Sequence, residues 1–460
     1  GLYIRLAPRH ALPMRLLFLL ATVVLAAGCG GTKPEIVRVC PVESPPPASS
    51  GTFTFALTQS VDPDHAPVPM NDSEAILFGL AYPPLVEADC EGDVLPAAAA
   101  SWTPNPADST WTFRMSPDAA LGDGAPITAA DVREMWLERR DPAALVAPWI
   151  WDHVQPEAIA VTDGGELVIR APRAYADLLH ALTQPSLALA RGRASEWPLG
   201  ARGDLVALEH FDQRKAPELA WTRGAESSDG ASEIRFLLME NATPEEVVAA
   251  GIDAFFVRDK AAIAYAATLP GYRVTPFPYN RLYLLLTPEP GIVNEIEPDK
   301  IAKLPPLVQS DARVAKNAGG YRHDAPKPKK KLKRTLDRIV VPWWDPDARA
   351  VASALSKIWR ERSKRGYPAI LPKRHGEFQR HVLEGKDALY VFPVDPGLAS
   401  ETLQKLHLLR SAPWLAERGG SIALFETRGH LVAKEGLTGF ASGFDGFPRL
   451  DRAGWGAPPP

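Results

Sequence analysis

Asp123-Gly-Ala-Pro-Ile-Thr128-Ala-Ala-Asp131-Val132 is the stretch whose reading settles the fold of this chain. Asp123-Gly124 is a turn signal, because glycine tolerates φ > 0. Thr128 is a helix cap, and Asp131, three residues on, stands where a carboxylate can reach back to the cap, a variant of the capping box. Val132, Met135 and Trp136 then share one helical face. Turn, cap and amphipathic helix follow one another within fourteen residues.

Outward from there, strand and helix signals alternate in both directions. Thr110-Trp-Thr-Phe113 and Thr52-Phe-Thr-Phe-Ala-Leu57 alternate apolar and polar like half-buried strands. Asp62-Pro-Asp64 turns the chain before a helix around Ser73–Leu80, and Leu85-Val86-Glu87 runs into the Glu91-Gly92-Asp93 turn. Downstream, Glu166–Ala171 and Glu233–Met239 read as strands and Tyr175–Leu182 as a helix. Thr243-Pro244-Glu-Glu246 is a helix start, with Thr as cap, Pro at the first position and Glu at the third. Gly251 ends that helix before the buried-strand run Ala254-Phe-Phe-Val257. Leu282-Tyr-Leu-Leu-Leu-Thr287 is a further buried strand, where the chain can cross into a second lobe. Ile339-Val-Val341 leads to Asp347 as the expected cap of a helix with Val351, Ala354, Leu355, Ile358 and Trp359 on one face. Phe378–Leu383 reads as helix, and Ala388–Phe392, Ser421–Phe425 and His430–Ala433 as strands. No internal repeat is visible.

The composition narrows the possibilities. The 460 residues carry 51 Lys+Arg against 55 Asp+Glu, a net charge of −4, so nothing draws the chain to nucleic acid. Single cores stop growing near about 250 to 300 residues, so at least two lobes are expected. The 46 prolines exclude a helical bundle or a coiled coil. The basic run Pro326–Arg334 lacks interleaved aromatics and is expected to be a solvated loop. No Gly-x-Ser-x-Gly elbow, His-Glu-x-x-His helix or phosphate-cradling Gly loop occurs, so neither an enzyme nor a cofactor is expected. No Cys/His cluster stands at metal spacing.

Met14-Arg15 opens the short apolar stretch Leu16–Leu25, too short to span a bilayer, which reads as a signal h-region. Leu25-Ala-Ala-Gly-Cys29 resembles the bacterial lipobox, in which the Cys is acylated and becomes the mature N-terminus. We therefore expect residues 1–28 to be a signal-peptide region starting at Met14, with Gly1–Pro13 upstream of the true start. Residues 29–50 are then a lipidated Cys29 and a Pro- and Ser-rich tether. Gly30 in place of Asp after the Cys is compatible with outer-membrane or surface attachment. Cys40 and Cys90 remain, an even count for an oxidising compartment, and we expect one disulfide between them in preference to two free thiols.

Four fragments of the N-terminal third, Leu80–Val86, Gly92–Pro96 with Ala99–Trp102, Asp108–Phe113 and Asp123–Val132, resemble successive motifs of the extracellular solute-binding proteins, family 5. These are the dipeptide- and oligopeptide-binding proteins of ATP-binding-cassette importers. Weaker echoes follow at Ala250–Asp253, Leu282–Thr287, Ile339–Trp359 and Lys434–Phe440. The resemblance implies an α/β, two-lobed periplasmic-binding-protein-like fold with crossing strands and an extra inserted subdomain. It divides the body into lobe I (51–70, 186–285 and 426–460), an inserted subdomain (71–185) and lobe II (286–425). It implies further a monomeric, membrane-anchored lipoprotein of the periplasm or cell surface, binding a peptide or other small organic solute in the interlobe cleft and serving an ABC permease.

The chain departs from those relatives where peptide binders carry Gly-Trp-x-x-Asp-Tyr-Pro-Asp-Pro, whose first Asp pairs with the peptide amine. Here the text is Ala388-Leu-Tyr-Val-Phe392-Pro-Val-Asp395-Pro396. Only the second Asp, Asp395, matches, and Phe392 falls at the amine partner's place. An ammonium buried against Phe392 would cost several kcal/mol, so ligands without a free amine are expected. Asp395 and Phe392, with Trp343 and Trp344 as an aromatic platform, are the expected ligand residues. The alternative is a relative that keeps the fold as a structural or interaction lipoprotein and has no transport function.

Overall fold

Phe53, Phe55 and Leu57 point one way along strand Thr52–Leu57 and Ala56 the other, and this period of two decides how the first lobe is layered. The computed structural model describes residues 40, 51–121, 124–139, 158–171, 175–191, 199–200, 203–208, 217–223, 230–289, 292, 296, 298–315, 337–360, 366–386, 389–394, 401–417 and 419–456. Strand Thr52–Leu57 lies at the middle of a seven-stranded mixed sheet, with parallel neighbours Glu233–Leu238 and Ala254–Val257. Strands Gly203–Leu208 and Glu218–Arg223 extend it on one side, and His430–Lys434 and Tyr272–Pro276 on the other. Phe53, Phe55 and Leu57 join Phe236 and Trp221 in one core, while Ala56, Phe255 and Val432 face a second on the opposite side.

The second sheet has six strands, in the order Asp311–Val314, Gly420–Arg428, Arg281–Thr287, Leu389–Val394, Arg338–Pro342 and Ala369–Lys373. Both its faces are covered. Leu282, Leu284 and Leu286 pack with Phe378 and Trp414 on one side, and Tyr283 and Leu285 with Val351 and Leu355 on the other. That explains why strand Arg281–Thr287 reads as an unbroken apolar run.

A four-stranded antiparallel sheet, Ala99–Asn105, Thr110–Met115, Leu167–Arg170 and Ile159–Val161, has its own core with the helix Ala129–Arg139. There Thr128 N–H and Oγ1 donate to Asp131 Oδ2 at 2.8 and 2.6 Å, and Asp131 N–H returns a bond to Thr128 Oγ1 at 3.2 Å. Trp136 is buried and donates its indole N–H to the Leu187 carbonyl at 3.0 Å.

Two details differ from the sequence reading. Helix Asp72–Ala81, expected in the inserted subdomain, buries Ile76, Leu77 and Phe78 in the core of the first sheet. Its apolar residues match the Phe53/Phe55 face, a pairing no local pattern reports. Helix Pro346–Ile358 is capped by Asp345, whose Oδ1 accepts the Ala348 N–H at 2.8 Å, rather than by Asp347. Pro346 takes the first helical position, where its missing N–H costs nothing, so the cap is the residue before it. Cys40 and Cys90 are joined by a disulfide with their Cα atoms 5.9 Å apart, closing a span of 50 residues.

Candidate functional site

The two large sheets are linked by two crossings that lie side by side. The chain leaves the first sheet at Pro276 and enters the second at Arg281; it returns across Gly429, between Arg428 and His430. Phe277 N–H donates to the Gly429 carbonyl at 3.0 Å and Asn280 N–H to the Thr427 carbonyl at 3.0 Å, which ties the crossings together. A third contact joins the sheets where Asp259 bridges Ser310.

Beside these links lies a cavity of about 410 Å³, inside the range of small-molecule sites, roughly 300 to 1,000 Å³. It opens at the C-terminal ends of the parallel strands Thr52–Leu57 and Ala254–Val257, where ligands of open α/β sheets are commonly held. The first sheet and its packed helices contribute Gln59, Asp72, Arg258 and Asp259 to its lining, and the second sheet and its helices Arg281, Tyr283, Trp344 and Asp345. A depression of about 30 Å³ near Tyr82 and Arg449 has room for little more than a water.

Asp72 ties the cavity floor together. Its carboxylate accepts from Arg258 Nε at 2.5 Å and Nη2 at 3.2 Å, and from Arg281 Nη2 at 2.8 Å. Arg258 Nη1 donates to Asn280 Oδ1 at 2.8 Å, and the same guanidinium lies 5.5 and 5.6 Å from the ring centres of Phe256 and Phe447. Burial pushes the Asp72 carboxyl up, but the two guanidinium groups outweigh it and hold it down at about 2. Arg258 belongs to the first sheet's side and Arg281 to the second, so one carboxylate binds cations from both.

A second group in the lining is acidic and internally bonded. Tyr283 Oη donates to Asp345 Oδ2 at 2.9 Å, and Asp347 Oδ1 accepts the Gln309 and Ser310 N–H groups at 2.7 and 3.3 Å. Burial drives the Asp345 carboxyl above the usual carboxylate range; Arg281 pulls it back and Asp347 pushes it further up. Burial likewise drives the Tyr283 hydroxyl well above its ordinary value.

The residues expected from sequence are dispersed. Trp344 lines the cavity, 39% exposed, with Phe378 at 6.0 Å edge to face. Trp343, next to it, is 55% exposed, donates its backbone N–H to Lys373 and is not part of the lining. Phe392 stacks on Phe378 at 5.9 Å within the second sheet's core and does not line the cavity either. Asp395 and Cys29 lie outside the described residues. Sequence reasoning missed Asp72, Arg258 and Arg281. Asp72 stands 186 and 209 residues from its two partners, so nothing local marks the group.

Two sheets, two crossings and a cleft between them are the architecture that known proteins match. This is a periplasmic-binding-protein fold. Residues 93–218 match the family model described as bacterial extracellular solute-binding proteins, family 5 Middle. A segment of 65 residues is 43% identical to the periplasmic oligopeptide-binding protein OppA of Haemophilus influenzae, and it spans 14% of this chain and 12% of that protein. The NikA structure from Brucella suis, in complex with Fe(III)-EDTA, superposes with a TM-score of 0.61 at 13% identity, covering 88% of this chain and 100% of NikA. A dipeptide-binding protein from Pseudoalteromonas sp. SM9913, in complex with Met-Leu, gives 0.62 at 9% identity, covering 88% of this chain and 100% of that one. At such identities the periplasmic-binding-protein likeness is one of fold.

Proposed function

We propose that the protein is the substrate-binding component of an ABC importer, anchored to the membrane by lipid on Cys29 and exposed in the periplasm or at the cell surface. A peptide-like or other small organic solute enters the cleft between the sheets, the lobes close about the paired crossings, and the loaded protein docks on its permease. The cavity of about 410 Å³, with both sheets contributing to its walls, is the observation that carries this reading. The solved proteins of the same fold that hold Met-Leu and Fe(III)-EDTA support it.

The test exposes the purified protein to the small-molecule fraction of spent growth medium, removes unbound solutes, and identifies by mass spectrometry what heating releases. Wild type is expected to retain a defined solute that Ala262→Trp, which fills the cleft, does not. A folded wild type that retains nothing would favour the structural or interaction lipoprotein instead. Anchoring has its own test: a tagged fatty acid should label wild type and not Cys29→Ser, and an unlabelled wild type refutes it.

A further inference from the structure

We infer that this cleft takes an organic cation, with an ammonium or guanidinium group seated between the carboxylates of Asp347 and Asp259; this rests on the receptor reading above and deepens it. Four carboxylates line the cavity, those of Asp72, Asp259, Asp345 and Asp347, against the two guanidinium groups of Arg258 and Arg281. Both guanidinium groups are bonded to Asp72. Both oxygens of Asp345 accept bonds, from the Ala348 N–H and the Tyr283 hydroxyl. Asp347 and Asp259 are different. Neither forms an ion pair with any described residue, and each accepts only through Oδ1, Asp347 from the Gln309 and Ser310 N–H groups and Asp259 from the Ala262 N–H. Each therefore keeps an oxygen, Oδ2, that accepts nothing among the described residues.

Asp347 is only 2% exposed, yet it borders the cavity. A buried carboxylate with an unused oxygen and no counter-ion is costly, and a cation entering the cavity removes that cost. Asp259 stands near it. The Asp259 backbone bridges Ser310, whose N–H Asp347 holds, so the two carboxylates flank one short piece of chain. They come from different sides of the cleft: Asp259 follows strand Ala254–Val257 of the first sheet, and Asp347 lies in helix Pro346–Ile358, packed on the second. A cation bonded to both therefore ties one sheet's side to the other. Lys260, the neighbouring cation in sequence, turns its Nζ to the Pro305 and Val308 carbonyls, each at 3.0 Å, and takes no part in the lining.

The chemistry of the lining narrows the kind of cation. Among the described residues no group of three or more His, Cys, Asp or Glu side chains is placed to hold a metal ion. An ammonium carries three donors and a guanidinium five, enough to bond both unused oxygens at once. The rest of the solute meets Trp344, 39% exposed in the same lining, whose ring face suits a flat apolar group or a cation. Phe392 packs in the second sheet's core and does not line the cavity, so the acid missing from its motif does not leave the cleft without acids. An anion finds both guanidinium groups already bonded to Asp72 and meets two carboxylates without counter-ions.

The experiment compares probes that differ in charge at one end: phenethylamine and phenethylguanidine against phenethyl alcohol, and dipeptide amides with a free against an acetylated amino terminus. Calorimetry at low and high salt reads the affinity, and thermal shift confirms binding to the folded protein. The cationic member of each set is expected to bind at least about tenfold tighter than the neutral one, with an affinity that falls as salt rises. Asp347→Asn and Asp259→Asn should each weaken the cation by about tenfold or more and leave the neutral probe unchanged. Asparagine keeps Oδ1 as an acceptor and caps a helix as well as aspartate does, so both variants should fold. Asp163→Asn, between strands Ile159–Val161 and Leu167–Arg170, removes a charge outside the lining and should change nothing. The amine and peptide arms distinguish the two sources of the cation. Neutral probes that bind as tightly as cationic ones overturn the inference and leave the receptor reading standing. Undiminished affinity in either cleft variant overturns it, as does an equal loss in Asp163→Asn. Silence from every probe overturns it too, and when no solute is recovered from medium either, the receptor reading falls with it.

Discussion

Replacing Asp72 by Asn removes the carboxylate that binds both Arg258 and Arg281 at the cavity floor while keeping the side chain's shape. The two arginine side chains are 10% and 19% exposed, so neither can recover its lost partner from bulk water. Breaking a buried ion pair by deleting one partner typically costs about 3 to 5 kcal/mol. A second route gives a compatible figure. The carboxyl is held at about 2 against an ordinary 3.8, and at 1.36 kcal/mol per unit that is roughly 2 to 3 kcal/mol net of its burial cost. The sign is fixed: a carboxyl depressed in the folded state contributes fully above its unfolded value and loses that contribution as pH falls through about 4 to 2. We therefore expect Asp72→Asn to lower the unfolding free energy by about 3 kcal/mol at pH 7, read by urea titration, and by much less near pH 2. Adding Arg258→Met and Arg281→Met should recover most of the loss, because apolar side chains of similar volume need no counter-ion. A cost below about 1 kcal/mol at pH 7, or a cost that does not shrink as pH falls, would refute the reasoning.

Two further predictions concern the crossings beside the cleft and a third the disulfide. Burial, with Arg428 nearby, holds the His430 imidazole down at about 4, so the folded protein keeps it neutral. Stability should fall as pH drops from about 6.5 toward 4, by roughly 2 to 3 kcal/mol in all, and a His430→Gln variant with an unchanged pH profile would contradict this. At the return crossing, a Cβ on Gly429 would sit 1.9 Å from Phe256 Cζ; Gly429→Ala should cost about 2 kcal/mol or more, and a melting temperature at or above wild type would show that the ring gives way. The Cys40–Cys90 bridge closes a 50-residue span, for which chain entropy sets a ceiling of about 4 kcal/mol. Cys90→Ser should lose up to that amount, and unreduced peptide maps of wild type should contain the linked pair, whereas two free thiols would refute it.

Local sequence determined the elements. Thr52–Leu57 alternates because one strand serves two cores, and the Thr128–Asp131 and Thr243–Glu246 caps are closed by side chains three residues from the backbone they satisfy. Such interactions are complete within one turn or one strand, so their residue types fix them. Tertiary structure decided the site. Arg258 reads as the residue after a buried strand, Arg281 as the residue before another, and Asp72 as one acid at a helix start; only the packing of two sheets around two crossings sets them within hydrogen-bonding distance. Trp344 and Trp343 are neighbours in sequence with the same chemistry, yet only Trp344 lines the cavity. Phe392, placed by its motif at a ligand's end, stacks on Phe378 instead. An interaction closed over 186 or 209 residues leaves no period and no spacing in the chain. It exists only once loop closure has been offset by the burial of both cores, and so the ion pairs of Asp72 with Arg258 and Arg281 belong to the folded molecule alone.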